Sequence, residues 1–179
     1  MSSKKIVITG GPGSGKTSII NELLKRKHHC LPEISREIIL EAKREGIDQL
    51  FLKDPILFSE RLLHGRIVQY KTIHLDTPYL FFDRGIHDVV AYMDFINNTY
   101  PPIFVNACEQ YIYDTIFILP PWKEIYISDN ERYENYEQAI LIFENLKTTY
   151  KKYGYNLIEV PFGTIEERAD FILSTLNNS

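Results

Sequence analysis

The chain has 179 residues, 44% of them apolar and 25% charged, which suits one domain with a substantial core. Its longest apolar runs, around Tyr79–Phe82 and Ile116–Leu119, are far short of the roughly 20 residues needed to span a bilayer, which argues against a membrane-spanning protein. The net charge of −4 supplies no general basic field for nucleic acid, although Lys4, Lys5, Lys16, Lys25, Arg26 and Lys27 make the first segment locally positive and suited to a small anion.

Apolar β-branched runs alternate with stretches of helical periodicity, the pattern of an α/β protein with a parallel sheet. Lys4–Thr9 reads as a first strand buried on both faces. A helix follows from Lys16 to Lys27, with Ile19, Ile20, Leu23 and Leu24 on one side and cations in its last turn, where the helix dipole favours them. His29–Pro32 is a short second strand, and Ile34, Ile38 and Ala42 mark a helix from Glu33 to Glu45 that ends at Gly46. Asp54-Pro55 is an N-cap and first-turn pair opening a helix that runs to about His74 on the stripe Leu63, Ile67 and Tyr70. The third strand is Tyr79–Asp83, followed by helices over Gly85–Asn97 and from Pro101-Pro102 to Tyr111. Thr115–Leu119 is the fourth strand, Trp122–Asn130 a loop, Glu131–Lys152 a long helix, Tyr155–Val160 the fifth strand, and Ile165, Ala169, Ile172 and Leu176 lie on a closing helix. Five strands with their helices fill residues 1–179 as a single domain, with a lid at about 120–137.

Gly10-Gly11-Pro12-Gly13-Ser14-Gly15-Lys16-Thr17 fits the phosphate-loop pattern G-x-x-x-x-G-K-[ST] between a buried strand and an amphipathic helix. Glycines let backbone N–H groups turn inward around an anion, and the helix N-terminus adds partial positive charge. On this reading the nucleotide is bound by Gly11, Pro12, Gly13, Ser14, Gly15, Lys16, Thr17 and Ser18. Lys16 would reach the β- and γ-phosphates, and the Thr17 hydroxyl would ligate Mg²⁺. Asp83, closing the apolar strand Tyr79–Phe82, is the second metal-site residue, and Arg84 directly after it puts a cation at the carboxyl end of the sheet. The guanine signature N-K-x-D is absent from the sequence, which argues against a regulatory GTPase; ATP is the expected nucleotide.

Glu33 follows a strand at the edge where such sheets bind ligands, so its carboxylate could orient an acceptor hydroxyl or simply cap a helix. Arg36, one turn on, could pair with it or hold an anionic substrate. His87 and Asp88 stand on the turn after Asp83-Arg84 and are candidates to line a substrate site. His28-His29-Cys30 lacks metal-ligand spacing. With two cysteines, Cys30 and Cys108, no disulfide framework is readable, and the run Ile6-Val7-Ile8 is too short for an export signal. A reducing, cytoplasmic setting is the expectation.

The phosphate loop, Pro32-Glu33-Ile34-Ser35-Arg36, Asp83-Arg84-Gly85-Ile86-His87-Asp88 and Leu119-Pro120-Pro121-Trp122-Lys123-Glu124-Ile125-Tyr126 together resemble the small bacterial proteins known as predicted AAA-type ATPases. Their pattern is closer to P-loop kinases of nucleosides and nucleotides than to ring-forming motors. The resemblance implies a three-layer P-loop NTPase fold with a five-stranded parallel sheet and a short lid. Glu33 with Arg36 looks like the strand-end glutamate that serves deoxynucleoside kinases as base, and Asp83-Arg84 is similar to their acidic-Arg pair. Gly85 departs from the residue those kinases carry next. The resemblance further implies that a lid arginine, here Arg132, stabilises the transferring phosphoryl group, and that the loop Pro161–Thr164 lies against the purine. The expected function is Mg²⁺-ATP-dependent phosphorylation of a small molecule such as a nucleoside, nucleotide or related metabolite, with Lys16, Glu33, Asp83, Arg84 and Arg132 catalytic. An ATP-driven switch acting on a protein partner, or a hydrolase without an acceptor, is the alternative.

Overall fold

The computed structural model describes residues 3–72, 77–125 and 135–178. Five parallel strands, β1 (Lys4–Gly10), β2 (His29–Leu31), β3 (Tyr79–Asp83), β4 (Thr115–Leu119) and β5 (Leu157–Glu159), form one sheet in the order β2-β3-β1-β4-β5. The first strand therefore lies at the centre, with β3 and β4 on either side. Successive residues of β1 alternate between the two faces, and both faces are buried. Val7 joins Phe82, Ile116 and Ile118 in one core, while Ile6 and Ile8 join Phe81, Phe117 and Leu119 in the other.

The helices are α1 (Lys16–Lys25), α2 (Ser35–Arg44), α3 (Leu50–Lys53), α4 (Pro55–Lys71), α5 (Ile86–Phe95), α6 (Ile103–Gln110), α7 (Tyr136–Lys152) and α8 (Ile165–Asn177). Ile19, Ile20 and Leu23 of α1 and Ala169, Ile172 and Leu176 of α8 cover one face. Ile38, Leu62, Val90, Phe104, Phe143 and Tyr150, from α2, α4, α5, α6 and α7, cover the other, giving three layers. Among the described residues no helix is long and apolar enough to cross a membrane.

β3 and β4 occupy the spans that their apolar runs predict. The helix expected from Glu33 starts instead at Ser35, because the Glu33 carboxylate itself accepts the N–H groups of Ile34 and Ser35 at 2.9 and 3.1 Å. α4 begins at Pro55 as expected, with Asp54 accepting the Leu57 N–H at 2.9 Å; His74 lies outside the described residues. The one-turn α3 has no counterpart in the sequence reading, four residues being too few to show a period. β5 is shorter than Tyr155–Val160, since Tyr155 turns into the core beside Tyr150. The loop expected over Trp122–Asn130 begins with a short 3-10 turn, Lys123–Ile125. The described part of the long helix opens at Asn135, whose side chain accepts the Gln138 N–H while Gln138 accepts that of Asn135.

Candidate active site

The carboxyl ends of β1, β3 and β4 point to one edge, and the chain leaves β1 there in the phosphate loop. Gly13 and Gly15 have φ of 70° and 80°, in the left-handed region that costs glycine nothing, and Gly15 caps α1, which starts at Lys16. The loop lines a cavity of about 730 Å³ with Gly11, Pro12, Gly13, Ser14, Gly15, Lys16, Thr17 and Ser18, all eight expected nucleotide-binding residues. Its far wall is built by Trp122 and Ile125 beyond β4, by Gly163 and Thr164 beyond β5, and by Arg168 of α8, with Arg84 at the inner end. Trp122 stacks on Phe162, ring centroids 5.1 Å apart.

Lys16 is 8% exposed, and its ammonium donates to the Asp83 carboxylate in a buried ion pair across β1 and β3. Burial lowers the Lys16 pKa, Arg84 adds to that, and Asp83 opposes both. The Thr17 hydroxyl, which lines the cavity, and the Asp83 carboxylate beside Lys16 are hard oxygen donors of the kind that suits Mg²⁺, which takes one or two protein oxygens and completes its shell with phosphate and water. No group of three or more His, Cys, Asp or Glu able to hold a metal occurs among the described residues.

Beside this pair is a network of four charged side chains. Arg84 adopts φ of 72°, a left-handed conformation uncommon for a side-chain-bearing residue, held by its N–H donating to the Ile8 carbonyl at 3.1 Å. Its Nε donates to Glu33 Oε2 at 2.7 Å and its Nη1 to Asp88 Oδ1 at 3.2 Å. From the opposite side Arg66 of α4, 3% exposed, donates from Nη2 to Glu33 Oε1 at 2.9 Å and from Nη1 to the Asp83 carbonyl at 3.2 Å. Burial alone would raise the Glu33 pKa, but Arg66, Arg84 and Lys16 outweigh it and bring it down to about 2. Burial likewise disfavours charge on Arg84, and the Glu33, Asp88 and Asp83 carboxylates more than reverse this, so its pKa is raised. At neutral pH Glu33 is ionised and Arg84 protonated.

The structure thus brings Lys16, Glu33, Asp83 and Arg84 together. Of the two roles open to it in the sequence, Glu33 takes up the helix cap with Oε1, and it also pairs with Arg84 through Oε2. Asp88 joins the network from below, accepting from Thr9 Oγ1, the Gly85 N–H, Arg84 and the Tyr150 hydroxyl, so its oxygens are committed within the protein. His87 does not reach the cavity. It is fully buried with its ring stacked on Tyr150 at 5.2 Å and edged by Tyr113, Tyr153 and Tyr155, and burial lowers its pKa to about 4. Arg36 is exposed in the first turn of α2 and is not among the cavity-lining residues. Arg132 lies outside the described residues. Sequence reasoning passed over Arg66 and Arg168, although each interrupts an apolar stripe: Arg66 between Leu63 and Tyr70, and Arg168 between Ile165 and Ala169.

A strand, a glycine loop lining a cavity, a helix opening on Lys-Thr, and an acidic residue ending the neighbouring strand define a P-loop NTPase domain. Residues 5–168 match the family model described as an AAA domain, and the chain belongs to that family. Among solved structures it is similar to deoxyadenosine kinase from M. mycoides with bound dCTP, at 19% identity over 98% of this chain and 100% of that one, with a TM-score of 0.70. NadR protein in complex with NR is similar at 20% identity and a TM-score of 0.73, covering 99% of this chain but 52% of that one. Shikimate kinase from Acinetobacter baumannii in complex with shikimate aligns at 16% identity over 98% and 94% of the two chains, with a TM-score of 0.64. These likenesses establish the shared fold. No curated protein matches the sequence.

Proposed function

We propose that the protein is a Mg²⁺-ATP-dependent kinase that transfers a phosphoryl group to a hydroxyl of a small molecule, of the nucleoside, nucleotide or related metabolite class. The observation that carries this reading is the Glu33–Arg84 pair, 2.7 Å apart at the sheet edge and adjoining the Lys16–Asp83 pair of the phosphate loop. A carboxylate and a guanidinium fixed together beside the phosphate loop suit the orientation of an acceptor hydroxyl, which favours the kinase over a binding switch. The solved structures of similar fold include kinases of deoxyadenosine and of shikimate, which supports the same reading.

In the proposed mechanism the loop N–H groups and Lys16 hold the phosphates, and the wall formed by Trp122 and Ile125 takes the base. Mg²⁺, held by Thr17 and Asp83 with the nucleotide, would neutralise phosphate charge. Glu33 accepts a hydrogen bond from the acceptor hydroxyl through Oε2 and orients it. With a pKa near 2 it is a weak proton acceptor, which suits a loose phosphoryl-transfer transition state that demands positioning more than early deprotonation. Arg84 then faces the charge developing between donor and acceptor, and Arg132 of the lid segment shares that task.

The test is ADP formation from Mg²⁺-ATP across a panel of nucleosides, nucleotides and other hydroxyl-bearing metabolites. Acceptor-stimulated turnover is expected, abolished in Lys16→Ala and reduced about a hundredfold or more in Glu33→Gln with ATP binding retained. Tight ATP binding with no stimulation by any acceptor would overturn the kinase reading in favour of a switch.

A further inference from the structure

Arg168 occupies a helix position that faces the core, and its side chain runs beneath the phosphate loop. Nη1 donates to the Ser14 carbonyl at 3.0 Å, Nε donates to the Pro161 carbonyl at 3.1 Å, and the guanidinium carbon is 5.8 Å from the centre of the Trp122 ring. One residue of α8 thereby touches the phosphate loop, the segment after β4 and the segment after β5, the three walls of the cavity. The contact depends on Gly15, where a Cβ would stand 2.8 Å from Nη1.

The electrostatic setting of Arg168 differs from that of the other cations here. Lys16, Arg66 and Arg84 each face a carboxylate. Arg168 is 3% exposed, its Nη2 has no hydrogen-bond partner, and among the described residues no carboxylate pairs with it. A guanidinium stays protonated inside proteins, so a full positive charge is buried here against carbonyl dipoles and a ring face, with no carboxylate among the described residues bonded to it, although Glu166 lines the same cavity. Buried charges are ordinarily paired, and an unpaired one is costly. The hydrogen bond to Ser14 also has a directional effect. In a trans peptide the C=O and N–H point opposite ways, so drawing the Ser14 carbonyl toward Arg168 turns the Gly15 N–H away from Arg168 and toward the phosphate side of the loop.

We propose that Arg168 is a positioning residue of the nucleotide site whose buried charge takes the polyphosphate as its counter-ion, so that it grades affinity by the number of phosphates the ligand carries. This rests on reading the cavity as a nucleotide site. Arg168 acts through the loop, with Nε and Nη1 committed to carbonyls and Nη2 shielded from solvent.

The experiment is calorimetric titration of ATP, ADP, AMP and adenosine, each with Mg²⁺, into the wild type, Arg168→Met and Arg168→Lys. Arg168→Met is expected to weaken ATP about thirtyfold, ADP about tenfold and AMP about threefold, and to leave adenosine within about twofold; Arg168→Lys should hold ATP within about threefold to fivefold. If Arg168→Met does not fold, Arg168→Gln, which keeps donors and loses the charge, takes its place. A loss of equal size for all four ligands, or equal losses in the lysine and uncharged variants, would reduce Arg168 to a structural tether and overturn the proposal. A wild type that binds none of the four refutes the nucleotide-site reading itself, and this proposal with it.

Discussion

Arg66→Met removes the buried guanidinium behind Glu33 while keeping most of its volume, and its consequences can be worked from the geometry. Glu33 is held at about 2, against an ordinary 4.5, by Arg66, Arg84 and Lys16 acting against burial. A folded-state pKa depressed in this way contributes stability that is present above pH 4.5 and lost as pH falls toward 2. Integrated from pH 6 to pH 3, this one group accounts for about 2 kcal/mol of lost stability. With Arg66 gone, Arg84 remains and the burial of Glu33 is less offset, so that contribution falls to about half. At neutral pH the variant is itself weaker by about 3 kcal/mol, because Glu33 Oε1 and the Asp83 carbonyl both lose a donor. Urea unfolding at pH 6 and pH 3 on both proteins reads the two effects. Parallel loss of stability in wild type and variant would refute the claim that Arg66 holds Glu33 down, whatever the size of the neutral-pH effect.

Three further outcomes follow from other parts of the structure. His87→Phe should flatten the stability profile between pH 7 and pH 4: the buried imidazole takes up its proton near pH 4 and the unfolded one near 6.5, so the wild type loses up to about 3 kcal/mol across that window as pH falls, measured by thermal melting in stepped buffers. Gly15→Ala meets both a φ of 80° and Arg168 Nη1 at 2.8 Å, and should cost about 1 to 2 kcal/mol and weaken ATP at least tenfold; binding within twofold of the wild type would show that the loop relaxes around a methyl group. Tyr150→Phe removes the hydroxyl that donates to Asp88 at 2.6 Å and should cost about 1 to 2 kcal/mol by chemical denaturation, without altering ATP affinity.

The elements legible in the sequence are those in which local pattern and burial coincide. Tyr79–Asp83 and Thr115–Leu119 are unbroken apolar runs because central parallel strands are covered on both faces, and their limits follow directly. The phosphate loop is equally plain, since its glycines answer to backbone conformation rather than to distant partners. Glu33 was ambiguous for a physical reason: the same carboxylate ends one element, caps the next and bonds to arginines 33 and 51 residues away, and the last of these leaves no mark on local periodicity. Arg66 and Arg168 show the limit from the other side. An arginine in a helix reads as solvated by default, and its burial becomes apparent once the helix is docked and backbone carbonyls come within reach. His87, adjacent in sequence to the site, is turned away from it because the first turn of α5 points that position into the tyrosine cluster.

The pairing of Lys16 with Asp83 has a consequence for which anions the loop admits. The phosphate loop of an empty site is often pictured as a bare electropositive nest, open to any oxyanion in its surroundings. Here the lysine already has a buried carboxylate partner, and any ligand that recruits the ammonium must also leave that carboxylate neutralised. Free inorganic phosphate arriving without a cation brings too few contacts to offset that exchange. A metal-chelated triphosphate brings its own replacement for the ammonium and many more contacts. On the proposed reading of the cavity as a Mg²⁺-nucleotide site, the ion pair would act as an entry threshold, disfavouring an abundant small anion relative to ligands that carry metal.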